Sequence, residues 1–139
     1  MAKKKIFDVP DFKGHSIRIH EAEQKLSNTN LCNGDNFVLA RWYLMSDYIG
    51  HDGGQNSYLI YHTEKGDKLF LKITGNSQKK EGEELSDDQE TGIIIGGTGS
   101  LAAVEGDYKY TGKFSMIKKT HVQTMQILRY KIVEKEAKK

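Results

Sequence analysis

Apolar and polar residues trade places at every second position along six stretches of this chain, and glycine-bearing turns separate them. Successive side chains of a strand point to opposite faces, so this period selects strands over helices. The alternating stretches are Phe37 to Tyr48, Ser57 to Thr63, Lys68 to Thr74, Gly92 to Ile95, Asp107 to Ile117 and Val122 to Glu134, with a weaker one at His15 to Glu21. Turn chemistry falls between them at Asn33-Gly34-Asp35, Gly50 to Gly54, Lys65-Gly66-Asp67 and Gly75-Asn76. Fourteen glycines against one proline, with seven tyrosines and five phenylalanines, fit a turn-rich β protein. Spread over 139 residues, these runs predict one all-β domain built as an antiparallel closed β-barrel of about eight strands. Residues 1–14 and 135–139 read as flexible tails. Gln78 to Glu90 sets Lys79 and Lys80 against six acids, and 78–90 therefore reads as a solvated acidic loop.

Several strands are apolar on both faces. In the longest, Val38, Ala40, Trp42 and Leu44 share one face, while Phe37, Leu39, Tyr43 and Met45 share the other with Arg41 among them. A sheet with one wet face does not need this pattern, whereas a filled barrel wall that also meets another subunit does. The expectation is a homo-oligomer, dimer or trimer. Charge narrows the partners further. Twenty-one Lys and Arg against nineteen Asp and Glu leave +2, too little for a nucleic-acid footprint, and the basic runs at the two ends read as solubilising termini. The apolar runs are far shorter than the roughly 20 residues a membrane helix needs. Cys32 is the single cysteine and has no partner for a disulfide or a cysteine-rich metal site. Five histidines show no ligand spacing, so neither metal nor cofactor is expected. No apolar signal region follows Lys3 to Lys5, and the chain reads as cytoplasmic as written, or periplasmic or secreted if a signal peptide has been removed.

One motif suggests itself as a phosphate loop. Gly97, Gly99 and Ala102 match the spacing of a dinucleotide fingerprint, but a fingerprint opens a long helix, and here Gly106 and the alternation of Tyr108 to Phe114 follow at once. A tight glycine crossover at Gly96, Gly97, Gly99 and Gly106 fits better. The run Ile93 to Gly106, I-I-I-G-G-T-G-S-L-A-A-V-E-G, resembles the G-G-T-G-x-[FY]-x-G-[AI]-x-G signature of allene oxide cyclase-like barrels, a group that includes dirigent-like proteins. Leu101 replaces the usual aromatic, and Ala103 stands where glycine is common. The resemblance covers residues 34 to 133 in the order of parts and about fourteen residues in sequence. It implies a calycin-like barrel fold, with either interior ligand binding or cyclase or isomerase chemistry by substrate positioning, and it carries over no catalytic residue.

The remaining candidates are polar residues on apolar strands. Arg41 lies among Phe37, Leu39, Tyr43 and Met45, Arg129 among Met125, Ile127 and Val133, and His62 beside Ile60. An arginine inside a barrel is costly unless paired, so either these faces meet solvent with the arginines snorkelling outward, or the interior holds an anionic or carbonyl group. Tyr43, Tyr58, Tyr61, Tyr108 and Tyr110 supply rings and hydroxyls for a cavity. The expected ligand-binding set is Arg41, Tyr43, His62, Tyr108 and Arg129, and the expected partner is a small hydrophobic molecule. A cyclase or isomerase is the first alternative and a non-catalytic assembly protein the second.

Overall fold

The computed structural model describes residues 3–27, 31, 34–50, 52–115 and 120–132. Eight strands follow one another in the chain: β1 (Lys3–Asp8), β2 (His15–Lys25), β3 (Phe37–Ile49), β4 (Asp52–Thr63), β5 (Lys68–Lys79), β6 (Leu85–Gly97), β7 (Val104–Ser115) and β8 (Thr120–Ile132). A 3-10 turn at Gly99–Leu101 links β6 to β7. The strands form a single sheet in the order β1 to β8, and each is antiparallel to the next. The all-β, eight-strand, antiparallel expectation therefore stands. Closure does not: β1 and β8 are the edges, and among the described residues no ladder joins them. β1 has six residues and β8 thirteen, and Lys4 and Lys5 place charge on the β1 edge, a device that discourages further pairing.

Several elements outgrow their sequence signals. Residues 3–8, expected as tail, pair with β2 with Phe7 opposite Ile17 and Lys5 opposite Ile19, and the Lys5 ammonium lies 5.2 Å from the centre of the Phe7 ring. The expected acidic loop at 78–90 is mostly ladder. β5 continues to Lys79 and β6 begins at Leu85, because Ser86, Asp88 and Glu90 alternate inward while outward Asp87 meets Lys113 across the strands at 3.5 Å. Residues 135–139, Cys32, Asn33, His51, Ile117, Val133 and Glu134 lie outside the described residues.

Turn chemistry explains the best-defined hairpin. Gly66 sits at φ 94°, the left-handed region that a side chain disfavours, while Thr63 N–H donates to Asp67 O at 2.8 Å and Asp67 N–H donates to Thr63 Oγ1 at 2.9 Å. Asp67 also governs the glycine motif. Its carboxylate accepts from Ser100 N at 3.2 Å and Ser100 Oγ at 2.7 Å, and a Cβ on Gly99 (φ 55°) would come within 2.0 Å of it. Thr98 Oγ1 accepts from Lys68 N at 2.9 Å. The loop amide a phosphate would use is thus taken by a carboxylate of the same chain. The glycines join sequence neighbours rather than crossing the sheet, and they let the turn drop Leu101 (2% exposed) into the core.

The core fills one end of the inner face. Ala40, Leu59, Tyr61, Leu69, Leu71, Ile73, Val104 and Tyr108 pack there with Leu101, and Phe37 stacks on Tyr61 at 4.5 Å. Trp42 of β3 meets Tyr108 of β7 edge-on at 6.2 Å, four strands away in the sheet. Contact over that span requires a sheet curled strongly upon itself, which brings β2, β3, β6 and β7 around a common interior.

Candidate functional site

Cross-strand register sorts the inner face into rows. The row at the packed end reads Trp42, Leu59, Leu71 and Ile94, and the next reads His20, Leu44, Ser57, Ile73, Gly92 and Tyr108. Beyond it comes Arg18, Ser46, Gln55, Gly75, Glu90 and Tyr110, and then Tyr48, Gly53, Ser77 and Asp88. Large apolar side chains give way within four rows to serine, glycine and polar groups. The curled sheet therefore encloses space at this end instead of side chains.

That space is a groove of about 450 Å³ lined by Ala22, Trp42, Leu44, Gln55, Glu90 and Tyr110, with His20, Glu23 and Asp88 also on its walls. A smaller cavity of about 200 Å³ adjoins it, sharing His20, Leu44, Gln55 and Asp88 and adding Lys4, Arg18, Tyr48 and buried serines.

A hydrogen-bonded chain crosses the floor. Tyr48 OH donates to Gln55 Oε1 at 2.8 Å, and Gln55 Nε2 donates to Glu90 Oε1 at 2.7 Å. Gln55 and Glu90 sit on β4 and β6 with β5 between them, and the intervening row position is Gly75. A Cβ there would stand 2.7 Å from Glu90 Cγ and 2.4 Å from Gln89 O, so the bare backbone is what lets the two side chains meet over β5. The tyrosine proton fixes the amide orientation and turns the Gln55 NH₂ toward the carboxyl. Burial, with Asp88 two residues away on the same face, pushes the Glu90 carboxyl up to about 7. Burial raises Tyr48 to about 12 and raises Tyr110 further still, with Asp88 and Glu90 adding to both. His20 is held below its ordinary value by burial and by Lys4 and Arg18. A carboxyl poised near neutrality beside two protonated phenols can accept, donate or share a proton with whatever enters.

The residues expected from sequence are not gathered here. Arg41, Tyr43, His62 and Arg129 all point to the outer face. Arg41 stands opposite Glu23, its Nε 3.0 Å from that carboxylate, and thus meets its charge partner at the surface rather than inside. Tyr43 is opposite Tyr58, Arg129 is exposed opposite Asp107, and His62, opposite Leu39 and Lys68, is held low by burial and by Arg41 and Lys68. Of the five, Tyr108 alone is internal, at 2% exposure against Trp42. Gly96, Gly97, Gly99 and Gly106 serve packing: a Cβ on Gly97 would meet Leu101 O at 2.3 Å, and one on Gly106 would meet Arg129 O at 2.0 Å.

Glu90, Asp88, Gln55 and Tyr48 escaped the sequence reading because alternation was sought in apolar residues. The signal was present as period 2 running backward from Ile94 through Gly92, Glu90, Asp88 and Ser86. Among the described residues no group of three or more His, Cys, Asp or Glu side chains is placed to hold a metal ion. Comparison of the chain with protein-family models, with curated proteins and with solved structures found no match.

Proposed function

We propose that this protein holds a small, largely apolar molecule in its inner groove, in an allene oxide cyclase-like barrel left open at the β1–β8 seam. The observation that supports this most is the change from Leu and Ile to Ser and Gly along the inner rows, which leaves about 450 Å³ beside Trp42, Leu44 and Ala22. Volume of that size, with apolar walls and a few fixed polar groups, is the usual form of a small-ligand site. The resemblance of Ile93 to Gly106 to the barrel signature points the same way.

Trp42 is the single tryptophan, so the groove carries its own reporter. Nile red, a neutral apolar dye, should gain emission on binding and shift the Trp42 fluorescence. Ala22→Phe, which fills the groove from its rim, should weaken that binding about tenfold. No binding, or binding indifferent to Ala22→Phe, would count against an interior site.

A second reading, proton-transfer catalysis of the cyclase or isomerase type, is favoured by Glu90. A carboxyl at about 7 can serve as acid and base at neutral pH. It requires a Glu90→Gln protein that still binds Nile red and has lost conversion of a bound substrate.

A further inference from the structure

The charged lining of the large groove is one-sided. Glu23, Asp88 and Glu90 stand on its walls and no lysine or arginine does, while burial, Lys4 and Arg18 hold the His20 imidazole below its ordinary value. Glu23 is engaged by Arg41 at the surface. Asp88 also lines the smaller cavity, where Lys4 and Arg18 face it. Glu90 has no such cation on its own groove. Gln55 Nε2 donates to it, and a carboxylate has about four acceptor positions. Trp42 lines the same groove, and tryptophan is the ring type whose face best attracts cations.

We propose that the groove selects organic cations: an ammonium or quaternary nitrogen carried on an apolar body, with Glu90 as the counter-ion and the Trp42 indole as the apolar wall. This deepens the interior-binding reading and rests on it. Anions are excluded by the same carboxylates, and a neutral molecule gains only the apolar contacts.

Ionisation of Glu90 sets the pH dependence. The titratable groups that share its groove are His20 and Glu23 from β2, Asp88 on its own strand and Tyr110 from β7; Tyr48 of β3 reaches it through Gln55, and Lys4 of β1 and Arg18 of β2 line the adjoining cavity. From β4 and β5 come Gln55, Gly75 and Ser77, and β8 sets Gln126 opposite Tyr110 in register; none of these titrates. A permanently charged ligand should therefore bind more tightly as pH rises through about 7 and Glu90 gives up its proton.

Three probes sharing one ring system test this by calorimetry on the full chain: trimethyl(2-naphthylmethyl)ammonium, 2-naphthalenemethanol and 2-naphthoate. The expected order is cation over alcohol by about tenfold, with naphthoate weakest. Added salt should erode the cation's advantage. Glu90→Gln should abolish the cation's advantage over the alcohol. If the alcohol binds as tightly as the cation, or naphthoate binds best, the charge selection is wrong and the interior site stands. If none of the three binds, both readings fall. Should Glu90→Gln not fold, the wild-type series and the pH dependence of the quaternary cation decide the matter alone.

Discussion

Gly75 stands between Gln55 and Glu90 in their cross-strand row, and its lack of a side chain brings a carboxyl against an amide over an intervening strand. The cost is borne by Glu90, whose charged form is desolvated. A carboxyl raised from 4.5 to about 7 binds its proton more tightly folded than unfolded, so folding loses stability as pH rises across that interval. Glu90→Gln cannot ionise and keeps what the wild type loses. Urea unfolding should show the variant gaining roughly 1 to 3 kcal/mol on wild type between the acid and the alkaline side of this window. An unchanged difference would mean that Glu90 does not titrate there. At this scale the sequence was a poor guide. Arg41 looked like the one fixed charge among apolar neighbours, but facing depends on register, and the register shift between Phe37 and Leu39 changes the alternation within β3 itself. Tyr108 does face inward, but as a core residue packed on Trp42 and not as a lining residue of the groove.

Elements were far more legible. Lys65-Gly66-Asp67 announced its hairpin, and the apolar alternation located β3, β4, β5, β7 and β8. What failed was length: β4 and β6 extend into Gly, Ser, Asp and Glu, residues that hydropathy assigns to loops and that become strand here through cross-strand partners. The first hairpin was legible only in part, and an ionic clasp completes it. His15 Nδ1 lies 2.6 Å from Asp11 Oδ1 and His15 Nε2 lies 2.5 Å from Asp47 Oδ1, tying the β1–β2 turn to the end of β3. Both carboxylates hold the imidazole above its ordinary value, Asp11 first. A histidine raised on folding contributes stability that is full below its unfolded value and is lost as pH rises through the folded one. Amide exchange in β1 and β2 should be slower in wild type than in His15→Ala under mildly acidic conditions, and the two should converge in alkali. Equal exchange at acid pH would remove the clasp from the account.

Taken as a whole, the molecule keeps a second apolar surface on its outside. Ile17, Ile19, Tyr43, Met45 and Tyr58 are 38% to 51% exposed on β2, β3 and β4, and the last four line a shallow depression of about 420 Å³ together with Lys4, Lys5 and Glu21. We propose that a second copy of the chain covers this face, as the two-sided apolarity of β3 anticipates. Light scattering should then report a dimer or trimer, and Met45→Lys should shift it toward monomer while leaving the circular dichroism unchanged; a wild-type monomer at high micromolar concentration rules the contact out. The fold class was visible in the chain's period, whereas closure was not, since whether the first and last strands meet depends on accumulated coiling that no local pattern encodes. The unpaired seam has a kinetic meaning. Among the described residues every ladder joins strands adjacent in sequence and none holds the far side of β1 or β8, so the molecule can peel from its ends one hairpin at a time while the other ladders persist. A molecule bound inside would then depart on the clock of that fraying and not of global unfolding, and the two carboxylates gripping His15 would set its residence time.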